Sequence, residues 1–240
     1  MTHSVSAELP TTREAMAKVL DYSDLRVNTR ESDLRLLALE AEKFGIATIV
    51  VNPVNASLAR ALTRGTNIKV GVAVSYPVGA YWPEDKIREV QDAVEDGADE
   101  IHMMMAVGAF LNGWVEDFTL PEMKGLVRAA EGRPTRLITE IAVLHGDQQR
   151  WLGESAASAG IQALVCCSGF KPSKLARVLP GDVHALAEVA GQTIEIDYMG
   201  DVEDTAEALE ILRAGASRIC SESARRILEG FGGPLADGQS

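Results

Sequence analysis

The chain has few of the features that mark secreted, membrane-bound or disulfide-stabilised proteins. Its three cysteines, two of them adjacent at Cys166 and Cys167, are too few for a disulfide framework, so we expect a reducing, cytoplasmic setting. No apolar run approaches the roughly 18 residues of a membrane span. The polar first ten residues lack the apolar segment of a signal peptide. Secretion and membrane insertion are therefore not expected.

Positive charge is scarce as well. The chain has 23 Lys and Arg against 35 Asp and Glu, which gives a net charge of −12, and it has no run of five basic residues. Nucleic acids and anionic membranes are bound through clusters of Lys and Arg, so this composition disfavours both as partners. The partner that we expect is a small-molecule substrate, and the sequence leaves room for a homodimer.

The order of apolar and polar segments predicts an α/β fold. Short β-rich runs alternate with amphipathic stretches, as in βαβ units with a parallel sheet. We predict eight strands, at residues 19–22, 47–51, 68–74, 100–105, 136–141, 163–167, 193–196 and 218–220. The clearest helices are at residues 29–45, 83–97 and 204–214. Eight such units favour a single closed (β/α)8 TIM barrel, although a doubly wound sheet alternates in the same way.

The 240 residues suit one domain. We predict a single domain over residues 1–240, with an ordered core at about 11–231 and loose ends on either side of it.

Four segments carry a resemblance to a known family. In chain order they are VNP (51–53) with VGVAVSYPVG (70–79), GADEIHM (97–103) with Gly108 and Gly113, LITE (137–140) with Leu144, and CSGF (167–170) with AGASRI (214–219). Together they resemble the deoxyribose-phosphate aldolase family, and the resemblance extends from about residue 20 to residue 229. It implies the same closed barrel.

The positions that carry that family's chemistry differ in this chain. The resemblance places Val165 at the position of the Schiff-base lysine, Asp197 at that of a second lysine, and His102 at that of a strand-4 aspartate. A valine cannot form an imine, because that step needs a deprotonatable amine. Lys171 and Lys174 could in principle reach inward, but loop lysines are usually solvated. We therefore predict that the chain does not run that family's chemistry.

The segments that hold a phosphate in that family also differ. They read Gly200-Asp201, Glu203 and Ser221-Glu222-Ser223 here. A phosphate dianion about 6 Å from one carboxylate is repelled by roughly 5 kcal/mol at an effective dielectric constant of about 20. The expected substrate is therefore not phosphorylated, and is neutral or carries an amine.

His102, Asp197 and Glu140 are the predicted catalytic residues. Alternate residues of a barrel strand point inward, and the carboxyl ends of the strands open into the active site. The resemblance then implies that His102, Val165 and Asp197 face the cavity. Imidazole suits acid–base catalysis near neutral pH, with Asp197 orienting the ring. Glu140 shares a strand face with Arg136, and either acts in catalysis or pairs with that arginine.

Seven further residues are predicted to contact the substrate: Arg136, Cys167, Tyr22, Tyr76, Tyr198, Glu222 and Asp21. Each has a structural alternative. Cys167 is also the kind of small residue that fills a buried space, and Asp21 suits an ion pair. Glu195, as a buried base, and His145, in a loop, are weaker candidates.

These residues favour an aldolase-like lyase or cyclase that uses acid–base catalysis without a Schiff base or cofactor, in specialised metabolism. Two alternatives remain open, a non-catalytic binding protein and a metal-dependent aldolase. In the latter, His102, Glu140, Asp197 and Cys167 would converge on a divalent ion. No HExxH-type motif is present and Arg136 would oppose a cation, so no metal is predicted.

Overall fold

Eight parallel strands close into one barrel in the computed structural model, which describes residues 9–170 and 177–231. The strands follow one another in chain order, and the first pairs with the last. They are β1 (Leu20–Asp24), β2 (Thr48–Val51), β3 (Lys69–Val74), β4 (Glu100–Met104), β5 (Thr135–Ile138), β6 (Ala163–Val165), β7 (Glu195–Met199) and β8 (Arg218–Ser221). The predicted single (β/α)8 TIM barrel is confirmed.

Helices connect the strands and cover the outside of the barrel. They are α1 (Arg13–Lys18), α2 (Glu31–Phe44), α3 (Ala56–Leu62), α4 (Pro83–Glu95), α5 (Val107–Leu111), α6 (Leu120–Ala129), α7 (Gly146–Ala159), α8 (Pro180–Ala190), α9 (Thr205–Arg213) and α10 (Ala224–Gly230). A π-helical turn, Val115–Thr119, precedes α6, and a 3-10 turn, Ile141–Val143, follows β5. No helix in the described part of the chain is long and apolar enough to cross a membrane.

The three predicted helices are present, and local signals fix their ends. α2 ends at Gly45, whose φ of 72° is the left-handed conformation that glycine adopts readily. Pro83 opens α4, where a proline's missing N–H costs no hydrogen bond. Asp204 caps α9, because its side chain accepts a hydrogen bond from the Glu207 N–H.

The outward faces of the strands build the main core. Strand residues such as Ile49, Val72, Ile101 and Leu164 are buried in one apolar cluster with residues of the surrounding helices. Since both faces of each strand are covered, the strands read as nearly continuous apolar runs.

The inward faces form two layers, one polar and one apolar. The polar layer comprises Asp21, Thr48, Glu100, His102, Arg136, Asp197 and Arg218, all at strand positions. The apolar layer comprises Val50, Ala73, Met104, Ile138, Val165, Met199 and Cys220. Met104, Ile138, Met199 and Cys220 each follow a polar-layer residue by two positions on the same strand face, so the apolar layer lies nearer the carboxyl ends.

Several predicted strand boundaries need correction. The first strand, predicted at 19–22, is Leu20–Asp24, and the sixth, predicted at 163–167, ends at Val165. The fifth strand, predicted at 136–141, ends at Ile138, because the chain turns at Glu140 into the 3-10 turn Ile141–Val143. The seventh, predicted at 193–196, is Glu195–Met199, which places the exposed Glu195 at the amino end of the barrel. Glu195 is therefore not a buried base.

Candidate active site

The ten predicted site residues lie in three separate places. His102, Asp197, Arg136 and Asp21 belong to the polar layer inside the barrel, Glu140, Tyr76 and Glu222 line cavities at its carboxyl end, and Cys167, Tyr22 and Tyr198 bond outside these cavities. The sequence thus identified inward-facing positions, but it did not distinguish residues in the polar layer from residues at the carboxyl end of the barrel.

An ion-pair network fills the polar layer. Arg136 donates hydrogen bonds from Nη1 to Asp197 Oδ2 and, over 3.3 Å, from Nε to Glu100 Oε2. Arg218 donates to Glu100 Oε2 over 3.0 Å and to Asp21 Oδ1 over 3.1 Å. Two guanidinium groups therefore hold three buried carboxylates, and the pairing compensates for the loss of their hydration.

His102 does not form the expected pair with Asp197. The His102 side chain is 1% exposed, and neither ring nitrogen has a hydrogen-bond partner among the described residues. Its Nε2 lies 3.6 Å from Glu100 Oε2, whereas Asp197 is bound by Arg136. Burial lowers the pKa of His102, which favours the neutral imidazole.

Burial acts on the two central carboxylates as well, with a different outcome for each. It raises the pKa of Asp197 to about 6, although Arg136 and Arg218 oppose that shift. Burial alone would raise the pKa of Glu100 too, but His102 and the two arginines outweigh it and the pKa lies below its ordinary value. Because the apolar layer separates this network from the carboxyl end, the catalytic role of His102 and Asp197 stays a prediction.

A large cavity of about 640 Å³ opens at the carboxyl end of the barrel. Its lining comes from the segments after β3, β4, β5 and β6: Pro77, Val78, Ala80, Tyr81, Trp82, Met104, Ala106, Val107, Gly108, Ala109, Leu111, Trp114, Phe118, Glu140, Val143, Ser168 and Phe170. Glu140 is the one charged side chain among these described lining residues. We call this space the mouth cavity.

Glu140 is held at the wall of the mouth cavity by Ser168. Its Oε1 accepts hydrogen bonds from the Ser168 N–H over 3.2 Å and from the Ser168 hydroxyl. The residue is 9% exposed, and burial raises the pKa of its carboxyl, against the lowering effect of the two bonds from Ser168. The alternative of pairing with Arg136 is wrong, because β5 ends at Ile138 and Arg136 bonds to Asp197 and Glu100.

A smaller cavity of about 270 Å³ shares Ser168 with the mouth cavity. Tyr76 lines it and donates its hydroxyl to the Ser168 carbonyl over 3.0 Å. The segments expected to replace a phosphate site line it too: Gly200, Asp201, Glu203, Ser221, Glu222 and Ser223. A Cβ at Gly169 would lie 2.6 Å from Gly200 Cα, so glycine is required where these loops meet. We call this space the acidic cavity.

Cys167, Tyr22 and Tyr198 form hydrogen bonds away from the mouth cavity and the acidic cavity, and their contact with a substrate stays a prediction. Cys167 donates its thiol to the Met199 carbonyl over 2.9 Å, and burial raises its pKa to about 12, so it remains a thiol. Tyr22 donates to Glu40 of α2 over 2.6 Å, and Tyr198 donates to the Val178 carbonyl over 3.1 Å. None of the three lines the mouth cavity or the acidic cavity.

The comparisons with known proteins agree with this architecture. No family model matches the chain. It is 32% identical to the deoxyribose-phosphate aldolase of Caldicellulosiruptor saccharolyticus over 220 residues, which cover 90% of this chain and 98% of that protein. The chain belongs to the deoxyribose-phosphate aldolase family.

Solved structures show the same likeness. The aldolase QR15 superposes with a TM-score of 0.83 at 26% identity, covering 90% of this chain and 95% of that one. The deoxyribose phosphate aldolase of Aeropyrum pernix, described as a tetramer, gives a TM-score of 0.83 at 24% identity over 92% of each chain. At that identity the second likeness shows the fold alone.

This member of the deoxyribose-phosphate aldolase family carries a buried lysine that the sequence interpretation missed. Lys86 of α4 is 0% exposed and donates to the Met104 carbonyl over 2.7 Å and to Glu122 of α6. Glu122 in turn accepts from the Ala106 N–H over 3.2 Å. Because Met104 and Ala106 line the mouth cavity, the pair fixes the backbone of its wall. The signal was present, since Lys86 lies four residues before the buried Val90 on α4.

The metal-binding alternative required four side chains to converge. In residues 9–170 and 177–231, no group of three or more His, Cys, Asp or Glu side chains is arranged to hold a metal ion. Asp197 and His102 lie in the polar layer, Glu140 lines the mouth cavity, and Cys167 bonds to Met199. Lys171 and Lys174 lie outside the described residues.

Proposed function

We propose that this chain is a lyase of the aldolase superfamily that makes or breaks a bond next to a carbonyl group by acid–base catalysis, without a Schiff base. Glu140 transfers the proton, and the substrate is a small carbonyl compound without a phosphate. The observation that carries the proposal is a carboxyl group of raised pKa, held by Ser168 at the wall of the mouth cavity.

The chemistry of Glu140 follows from its surroundings. A carboxyl group with a raised pKa exchanges a proton near neutral pH more readily than a solvated one. As a carboxylate it takes the hydroxyl proton of a β-hydroxyketone while the carbon–carbon bond breaks. As an acid it returns that proton to the enolate carbon. Ring closure within one molecule would use the same two steps in reverse.

Two features support a reaction without an imine. Val165, which the resemblance aligns with the Schiff-base lysine, is buried in the apolar layer. Lys86 lies behind the wall of the mouth cavity, fully buried and paired with Glu122, so its amine cannot reach a carbonyl carbon there. A buried amine already bound to a carboxylate is a poor nucleophile.

The acidic cavity supports a substrate without a phosphate. The described residues that line it include no Lys or Arg. Asp201, Glu203 and Glu222 line it, and the Glu203 carboxylate is bound by Arg226 at its edge. An anionic group would gain little from such a lining, whereas a hydroxyl or amine would find acceptors.

The test is cleavage of a naphthyl β-hydroxyketone, which releases a fluorescent naphthaldehyde, and of its small methyl analogue. We expect Glu140→Gln to lower kcat by about 10²–10⁴-fold, the range for a positioned acid or base. Glu154→Gln, an exposed position on α7, is the matched control and should keep full activity. Ser168→Ala removes a bond that lowers the pKa of Glu140, so the pH profile should move to higher pH.

Two results would count against the proposal. Unchanged turnover in a folded Glu140→Gln variant would remove Glu140 from the reaction, and absence of any turnover in the parent protein would favour a binding protein. Borohydride treatment with acetaldehyde should leave no covalent adduct. A stoichiometric adduct on any lysine, Lys171 and Lys174 included, would restore the imine mechanism.

A further inference from the structure

The mouth cavity concentrates the few aromatic side chains of this chain. Aromatic residues make up 5% of the sequence, three Trp, four Tyr and five Phe. Five of these twelve line the mouth cavity: Tyr81, Trp82, Trp114, Phe118 and Phe170. The general packing of the barrel does not account for these five, because the main core contains six of the other aromatic residues and none of these. The aromatic residues therefore define a property of the cavity.

The rim of the mouth cavity leaves these rings in contact with water. Trp82 is 68% exposed and Trp114 is 55% exposed, and Tyr81, which also lines the cavity, is 58% exposed. Burying apolar surface stabilises by about 25 cal/mol per Å². Several aromatic rings that are exposed to solvent side by side therefore indicate a surface that binds a ligand. A cavity of about 640 Å³ falls within the range of about 300–1,000 Å³ for small-molecule sites.

Aromatic side chains in the wall of the mouth cavity pack against one another. The Trp82 and Phe118 rings contact each other with centroids 5.8 Å apart and planes at 39°. Phe118 lies in the π-helical turn Val115–Thr119, a rare element that occurs often at functional sites. A segment of α4's N-terminus and the turn before α6 thus form one aromatic wall.

The polar groups of the mouth cavity would determine the orientation of a bound ligand. Glu140 is the one charged residue of the described lining, and Ser168 lies beside it. A molecule whose carbonyl or hydroxyl group lies at Glu140 has only apolar and aromatic lining, Trp82 and Trp114 included, for most of its remaining surface. Since no described lining residue is a Lys or Arg, an anionic substituent has no partner there.

From this arrangement we infer that the carbonyl compound carries a flat aromatic substituent, which stacks between Trp82 and Trp114 while its oxygen-bearing end meets Glu140. The inference rests on the proposed function for the role of Glu140, but it concerns binding, which can be measured without turnover. Aromatic contacts of this kind add about 0.5–1.5 kcal/mol each beyond the area they bury.

The experiment is titration of the protein with methyl naphthyl ketone, which cannot undergo cleavage, followed by calorimetry. We expect saturable binding, weakened about tenfold or more by Trp114→Ala and largely kept by Trp114→Phe, which retains a ring. Trp151→Phe is the control, because Trp151 stacks on Phe110 with centroids 5.4 Å apart and does not line the mouth cavity. In cleavage assays, Trp114→Ala should raise KM for the naphthyl hydroxyketone by a much larger factor than KM for the methyl analogue.

The outcomes separate this inference from the proposed function. Saturable, Trp114-dependent binding without cleavage of either compound supports the aromatic site and refutes the lyase. Cleavage of the methyl analogue that depends on Glu140, with no binding of the naphthyl ketone, overturns the aromatic site alone. Equal weakening by Trp114→Ala and Trp151→Phe also overturns it. Self-association that is lost in Trp114→Ala, without ketone binding, would assign the exposed rings to a second copy of the chain.

Discussion

The pair between Arg136 and Asp197 offers a sharp test of whether the polar layer is structural. Replacing Asp197 with Ala removes the carboxylate that binds Arg136 Nη1, and leaves Glu100 as its remaining hydrogen-bonded partner at 3.3 Å. Both side chains of the pair are 5% exposed, so water cannot take the place of the lost group. The apolar layer above blocks the route from the mouth.

The size of the effect follows from these contacts. Removing one partner of a buried ion pair costs about 3–5 kcal/mol, and the remaining bond to Glu100 places the expected loss near the lower end, about 3 kcal/mol. For a chain of this size, each kcal/mol lowers Tm by about 2–4 °C, so Tm should fall by roughly 6–12 °C. Replacing both residues, with Arg136→Met and Asp197→Leu, should cost less than Asp197→Ala alone, because no charge is left unpaired.

Urea unfolding at pH 8 is the assay, since a pKa of about 6 leaves Asp197 ionised there. Turnover is measured per folded molecule on the same samples. A loss below about 1 kcal/mol for Asp197→Ala would show that water or a rearrangement replaces the carboxylate, and would refute the buried network. A large loss of turnover with normal stability would instead restore the predicted catalytic role of Asp197.

Two further perturbations test buried groups away from the mouth. The folded pKa of His102 is lowered by burial, so it stabilises the fold above the unfolded pKa of about 6.5 and that contribution is lost as pH falls. Between pH 7.5 and pH 5.5 the protein should therefore lose more stability than His102→Asn. The difference should reach up to about 1.4 kcal/mol, because pH 5.5 lies about one unit below the unfolded pKa, and parallel pH curves would contradict this. Lys86→Met leaves Glu122 buried without its cation and should lower the free energy of unfolding by about 3–5 kcal/mol. The control is Lys124→Met, at an exposed position on the same helix as Glu122, which should leave the thermal unfolding unchanged. Equal stability of the two lysine variants would show that the Lys86 pair contributes nothing.

The barrel could be predicted because its signals are local and repeat. Each strand is covered on both faces, so runs such as residues 47–51 are apolar except for Thr48. Gly45 marks a helix end through its left-handed backbone. The resemblance, combined with parity along a strand, also gave the inward side of His102 and Asp197 correctly.

Depth along the barrel could not be read from the same pattern. His102 and Met104 share one face of β4, yet His102 lies in the polar layer and Met104 lines the mouth cavity. The distinction depends on where each strand ends relative to its neighbours, and the sequence fixes such boundaries poorly. On β5 the predicted strand was three residues too long at its carboxyl end, and the alternative of a pair between Glu140 and Arg136 rested on that longer strand.

The aromatic lining and Ser168 were missed for a different reason. Trp82 and Trp114 lie in loops, where neither a strand nor a helix period applies, and their common cavity forms only when two connections meet. A low aromatic content makes such loop residues conspicuous, so their position after the third and fourth strands was a usable signal.

Because the polar and apolar layers are separate, one barrel can contain many buried charges and also the Glu140 carboxyl group, whose pKa is raised. Arg136 and Arg218 are used by the carboxylates of the polar layer, and no cation contributes to the pKa of Glu140, which burial raises. Had Glu140 bonded to Arg136, the guanidinium charge would have lowered its pKa and fixed it as a carboxylate at neutral pH. The apolar layer, Val165 included, keeps the two groups of charges apart. The raised pKa of Glu140 is therefore a consequence of its burial at a distance from the two arginines.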